Sequence, residues 1–411
     1  MPYIFGAQSE SIVMERVFGL STTWSPPYNC RAYVTVIGPG GSGASRRNTS
    51  NGTAMAASGG GAGGCAKSLL DLSASVTYTI TVGAGGASVQ GANGNNGGAN
   101  SVFSGSDITD MTANLGNGGS QSGGTGTVSS QAGGTGGAAS GGNLWNVTGG
   151  AGGSAEISSW SSNGDHYASG GGGAAGILGT AYRGGNALCS TAGWDRMALG
   201  GGAGVGGRGG DATVTAGNGG SGNNWPQVMG SGGFGWRDGF DATASTATAV
   251  KAYGPWQSNK WDVTCNAGEE LPWANSGNMS NSGDSAYQMY DVHNMSHGMT
   301  TSIFHGIQQG QPGGGGQPGS SRMSSPGGGG SGYWSAGSTT YAYGNAGLFG
   351  GGAGCSTNYH SDGYSSQNGY GFRGSIGAGG GGITAYAASS NVTMSGKGGP
   401  GMVVVTILEV L

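Results

Sequence analysis

Runs of glycine interrupted by nothing larger than alanine recur along the chain: Gly59–Gly64, Gly170–Gly176, Gly200–Gly204, Gly313–Gly316, Gly327–Gly330, Gly350–Gly354 and Gly379–Gly382. Such runs bury no side chains, and glycine loses more backbone entropy on ordering than any other residue. A chain built on them folds only if main-chain hydrogen bonds replace apolar burial as the main cohesive term. Polyproline-II geometry supplies such bonds. It has three residues per turn and no internal bonds, so every N–H and C=O points outward, and glycine lets neighbouring helices approach closely. Collagen needs glycine at every third place, and these glycines come in clumps. A flexible Gly/Ser linker is the other alternative. The 10 Trp, 16 Tyr and 8 Phe argue against it.

Other features of the composition point the same way. Of 411 residues, 100 are glycine and only 54 are Leu, Ile, Val or Phe. Charged residues make up 8%, against about 25% in ordinary globular chains. A one-core globular enzyme is therefore not expected. Disorder driven by self-repulsion needs a large net charge, and here it is −4. The start, MPYIFGAQSESIVMERV, has neither a basic stretch nor a continuous apolar core, so no signal peptide is expected. The longest apolar run, Met402–Leu411, is too short to cross a bilayer. Synthesis in a cytoplasm without membrane insertion is the expectation. Cys30, Cys65, Cys189, Cys265 and Cys355 lie far apart with no CxxC pair, which points to free buried thiols and away from disulfides or zinc.

Strand signals concentrate near the two ends. Val76, Tyr78, Ile80 and Val82 alternate with threonines, giving the period of a half-buried strand. Arg31–Ile37 and Met402–Leu411 are apolar on both faces, as in strands covered on both sides. Lys67–Leu72 is a weaker strand, and Pro26–Pro27 place a turn after Ser21–Trp24. The fold class expected is all-β and irregular. N- and C-terminal strands form a small β-sandwich, with polyglycine-II-like helices and long aromatic loops inserted between them. Almost no α-helix is expected. Residues 16–411 are read as one glycine-rich domain, with a low-glycine insertion at 241–310. Residues 1–15, carrying Tyr3, Ile4, Phe5, Ile12 and Val13, either dock onto another protein or extend the sandwich.

Catalytic and cofactor motifs are weak. GxGxxG arises by chance about five or six times at this glycine content, and a dinucleotide site also needs a following helix, which is missing. Asp291, His293 and His297 would share a side only on a helix, and Asn294, Ser296 and Gly298 oppose one; a polar loop is the reading, not a metal site. Apart from Glu269–Glu270 the carboxylates are isolated, so no acid/base pair for glycoside hydrolysis can be named. Basic residues are scattered, which disfavours nucleic acid. No enzymatic activity, cofactor or metal is expected.

The aromatics lie between the glycine runs, not within them. Most are read as mini-cores that pin loops onto a scaffold poor in side chains. The rest are read as a recognition surface, since Trp and Tyr offer large rigid contact area with a polar handle. The candidates for receptor binding are Trp256, Trp261, Trp273, Tyr287, Tyr290, Tyr333, Trp334 and Tyr341.

The ordered set TTWSPP (Thr22–Pro27), AYVTVIGPGGSGA (Ala32–Ala44), GGGAGG (Gly59–Gly64), VTYTITVGAGGASVQGANGNNGGANSVF (Val76–Phe103) and GGPGMVVVTILEV (Gly398–Val410) resembles the glycine-rich domain of bacteriophage tail-fibre and tail-tip proteins. The texture between these segments is similar to that of the distal long-tail-fibre adhesins of T-even-like phages. The resemblance implies packed polyglycine helices, with variable loops that contact a bacterial surface receptor, either a glycan or an outer-membrane protein. It implies a virion location, other tail or fibre proteins as partners, and a homo-oligomer such as a trimer. The reading kept beside it is a structural virion component without a receptor role, such as a head fibre, decoration or fibre-connector protein.

Overall fold

The computed structural model describes residues 13–48, 53–124, 128–158, 166–177, 179–190, 196–215, 227–230, 232–233, 238–239, 241–244, 333–335, 346, 349–357, 369–386 and 392–411. These residues are all-β, with no helix among them. In chain order the strands are β1 (Met14–Phe18), β2 (Thr22–Trp24), β3 (Cys30–Ile37), β4 (Ser45–Asn48), β5 (Ala54–Ala57), β6 (Cys65–Leu72), β7 (Tyr78–Thr81), β8 (Ser101–Ser104) and β9 (Met111–Ala113). Then come β10 (Gln121–Gly124), β11 (Val128–Gln131), β12 (Ala139–Ser140), β13 (Trp145–Val147), β14 (Ala155–Ile157), β15 (His166–Ser169), β16 (Ala187–Cys189), β17 (Arg196–Leu199) and β18 (Ala212–Val214). The last are β19 (Gln227–Met229), β20 (Ala242–Ala244), β21 (Tyr333–Ser335), β22 (Cys355–Thr357), β23 (Gly369–Tyr370), β24 (Ile383–Tyr386), β25 (Thr393–Met394) and β26 (Met402–Val410).

Two antiparallel five-stranded sheets, in the orders β1-β26-β3-β6-β13 and β12-β9-β8-β7-β2, form the sandwich. Val34, Val36, Val403, Val405 and Ile407 of the first sheet meet Tyr78, Ile80, Phe103 and Met111 of the second in one core. Alternation along each strand puts these residues on one face. Phe18, Trp24, Tyr78 and Phe103 continue it as a chain of rings with centroids 5.9, 6.3 and 5.2 Å apart. The expected strands at 31–37, 67–72, 76–82 and 402–411 are all here, the third trimmed to Tyr78–Thr81. Two-sided cover holds only over the half of β3 and β26 nearest the glycine runs, where Ile37, Met402 and Val404 pack against Ala175, Ile177, Val205 and Phe349. At the other end Arg31 faces outward, bonding Asp71 Oδ1 at 2.7 Å and Glu409 Oε1 at 2.9 Å. Strand β1 crosses the boundary expected at residue 15 and pairs with β26.

The glycine runs continue from the sandwich as rods lying side by side, some running outward and others back. Around Gly59–Gly64 the hydrogen bonds repeat every third residue. Gly59 and Ala62 donate to Gly153 and Gly150, Gly60 and Gly63 to Gly380 and Gly377, and Gly61 and Gly64 to Asn117 and Asn114. Carbonyls on the same segment accept from Gly134 and Gly137, from Gly41 and Gly38, and from Gly173. One rod is thus bonded to six others at 2.8–3.1 Å, the three-residue period that polyglycine-II packing requires. The glycines are needed here for space and not for backbone conformation. Among the described glycines only Gly91, Gly141, Gly179 and Gly377 have positive φ. A Cβ on Gly60 would lie closer than 3.0 Å to the Gly41 carbonyl oxygen, and one on Gly172 equally close to that of Gly379.

Beyond the rods lie short strands that the sequence pattern did not mark, because they are only two to four residues long and many carry small residues at their buried positions. Those leading away from the sandwich stack in two sheets, β14-β16-β18-β20 (with β11 at its edge) and β21-β22-β24-β4. Those leading back form β5-β15-β17-β19 (with β10 at its edge) and the pair β23-β25. Apart from β10 and β11, pairing within these sheets is parallel. Small residues fill the gap between the first outgoing and first returning sheets: Ala54, Ala56, Ala155, Ala168, Ala187, Ala198 and Ala212, with Ile157 and Val214.

Candidate functional site

The topology makes the two ends of the molecule unlike. Val13 donates to the Ile407 carbonyl and Leu411 to that of Asn29, so both lie at the sandwich end, away from the rods. The outgoing strands all finish at the opposite end. There the chain passes from β4 to β5 through residues 49–52, from β10 to β11 through 125–127, from β14 to β15 through 159–165, from β16 to β17 through 191–195 and from β18 to β19 through 216–226. Strand β20 brings the chain to this end at Ala244. The connecting segments lie outside the described residues.

Trp256, Trp261, Trp273, Tyr287, Tyr290 and Tyr341 also lie outside the described residues. Tyr333 and Trp334 fall in β21, an outgoing strand at the edge of its sheet, opposite Cys355 and Ser356. Other aromatics serve as mini-cores. Tyr167 is buried with Met55, Met197 and Leu199, and Phe372 with Cys355 and Ile383. On the outer face of the sandwich the Lys67 ammonium sits 4.7 Å from both the Tyr33 and Trp145 rings, a cation–π clamp.

Just below the far end, His166 and Arg196 are register partners on β15 and β17, and both are fully buried. Burial lowers the Arg196 pKa, and the nearby Cys189 opposes that shift. Cys65, Cys189 and Cys355 are pushed up to about 12 by burial. They are inert packing groups, because nucleophilic chemistry requires the thiolate. Among the described residues no group of three His, Cys, Asp or Glu is placed to hold a metal.

A charged ladder along the outgoing rods has no counterpart in the expectations from sequence. Arg183 bonds Asp211 bidentately at 2.8 Å, and Arg208 bonds Asp241 in the same way. The carboxylates also cap backbone: Asn186 N–H reaches Asp211 Oδ1 at 2.7 Å and Asp211 N–H reaches Asp241 Oδ1 at 2.8 Å. Ser154 N–H makes the same bond to Asn186 Oδ1 at 2.9 Å. The signal was present as RGGNA (Arg183–Ala187), RGGDA (Arg208–Ala212) and DGFDA (Asp238–Ala242), hidden by the surrounding glycine.

Among the described residues this arrangement brings together no acid, base and nucleophile. It provides a rigid stack that holds many connections at one end. A family model described as a glycine-rich domain matches residues 17–239, and no curated protein matches the chain. The match stops short of β26, although β26 sits between β1 and β3 in the sandwich. With more than half of its residues matched, the chain belongs to the glycine-rich domain family.

Proposed function

We propose that the chain is a non-enzymatic bacteriophage tail-fibre or tail-tip protein acting in host attachment, which binds a bacterial surface receptor through aromatic loops on its polyglycine scaffold. The observation carrying this reading is the polarity of the molecule. Val13 and Leu411 sit at the sandwich end, while the described outgoing strands deliver their connections to the other. Connections displayed together on a rigid support are the usual place for recognition residues. Exposed Val13, Val410 and Leu411 at the sandwich end support docking of that end onto another virion protein. Trp256, Trp261, Trp273, Tyr287, Tyr290, Tyr333, Trp334 and Tyr341 are the proposed receptor-contact residues.

The test exchanges residues 245–310, which leaves β20 and Asp241 in place, or the Tyr333–Tyr343 segment, with those of a related chain and follows adsorption and host range. A changed host range with an unchanged melting profile is the expected result. Unaltered adsorption of folded exchange variants would remove these segments as the receptor surface. Microscopic localisation to the capsid would favour the structural virion component instead.

A further inference from the structure

We infer that residues 151–244 form an array of interchangeable units, so that whole connections at the far end can be lost or replaced while the rods stay in register. The functional meaning of this rests on the attachment reading; its structural content does not.

Ala155, Ala187, Ala212 and Ala242 stand side by side in one parallel register, as do Ala168, Ala198 and Val228 in the returning sheet. The bonds between successive units recur at equivalent positions. Gly184 donates to Ala151, Gly209 to Arg183 and Gly239 to Arg208. Gly171 donates to Gly185 as Gly201 does to Gly210, and Ala203 to Gly172 as Gly233 does to Gly202. Ala187 N–H reaches the Ser154 carbonyl as Ala212 N–H reaches that of Asn186. What varies is the number of residues between these fixed points, 158–165, 190–195 and 215–226 between strands at the far end, and 175–181 against 205–206 beside the sandwich, where Ala174 donates to Tyr182 as Gly204 does to Gly207. Each unit bonds to the one before and the one after at these positions, and its returning rod also bonds to segments outside the array in a repeating way, Gly170 donating to Ala57, Gly173 to Gly60, Gly354 to Gly200 and Gly351 to Ala203.

The ladder carries the same logic. Arg183 clamps the Asp of the next unit, Asp211, and Arg208 clamps Asp241. In the fourth unit Asp238 replaces the arginine and turns back, accepting the Arg208 N–H at 2.9 Å. The Arg-to-Asp ladder therefore has no arginine at this position in the last of the four units. Removing Ala187–Asp211 joins Asn186 to Ala212. Strand β18 would then lie beside β14 and β19 beside β15, and Arg183 would meet Asp241 in place of Asp211. Removing Met197–Pro226 makes the equivalent cut at the far end, joining Arg196 to Gln227.

The full chain, the two in-register deletions and a deletion of Ala187–Ala212 would be compared by thermal melting and by amide exchange at Gly59–Gly64. The last variant slips the strand by one residue, which puts Thr213 at the buried position of Ala212 and turns the buried Val214 to the opposite face. At least one in-register variant should melt in a single transition with those glycine amides still protected, and the slipped variant should not. Failure of both in-register variants, or equal behaviour of the slipped one, overturns the inference. Adsorption measured on the folded deletions bears on the attachment reading separately: unchanged adsorption would exclude the 191–195 and 216–226 connections from receptor contact and leave the units standing.

Discussion

At the residue scale the structure separates two reasons for glycine that composition alone merges. Gly60 has ordinary φ, but the site where its Cβ would go is occupied by the Gly41 carbonyl oxygen. Gly19 has nothing within 4 Å of that site. Gly60→Ala should therefore destabilise by about 1–3 kcal/mol or more, as overpacking does. Gly19→Ala should change the melting temperature little, and comparing the two melts checks it. The sequence showed which stretches were glycine but not which individual glycines are sterically obligatory, since that depends on rods distant along the chain. Phe349 shows the same limit: it holds φ at 65° within a buried cluster, and no local pattern marks it.

At the element scale the ladder makes stability depend on acid. Burial alone would raise the Asp241 pKa. The Arg208 hydrogen bonds, the Asp211 N–H and the charges of Arg208 and Arg183 outweigh burial and hold it below 3.8. A carboxylate depressed in the folded state contributes stability above its ordinary pKa and loses it as pH falls through the folded value. Asp241→Asn keeps an oxygen for the Asp211 N–H and removes the charge and the second acceptor of the Arg208 pair. It should lower stability near neutrality by about 1 kcal/mol or less, since half-exposed pairs are screened. The gap between wild type and variant should close below about pH 3.8, read as melting temperature against pH. The sandwich strands were legible because threonines alternate with Val76, Tyr78, Ile80 and Val82 and apolar residues fill most of Met402–Leu411. Strands such as Ala54–Ala57 and Arg196–Leu199 were not, because their cohesion comes from neighbours in a parallel stack and not from their own pattern.

For the molecule as a whole, the all-β scaffold with packed glycine rods was legible because so few large apolar residues leave main-chain bonding as the only sufficient cohesion. The polarity was not, since it follows from the direction of each rod. One consequence of that polarity is mechanical. Bonds between rods lie across the long axis, so a pull applied between the sandwich end and the far end loads many of them in shear at once. A pull on Val13 against Leu411 instead peels β1 from β26 one bond at a time. Single-molecule stretching should therefore find the second geometry giving way at clearly lower force, and a chain tethered by its sandwich end would meet traction along its stiff direction.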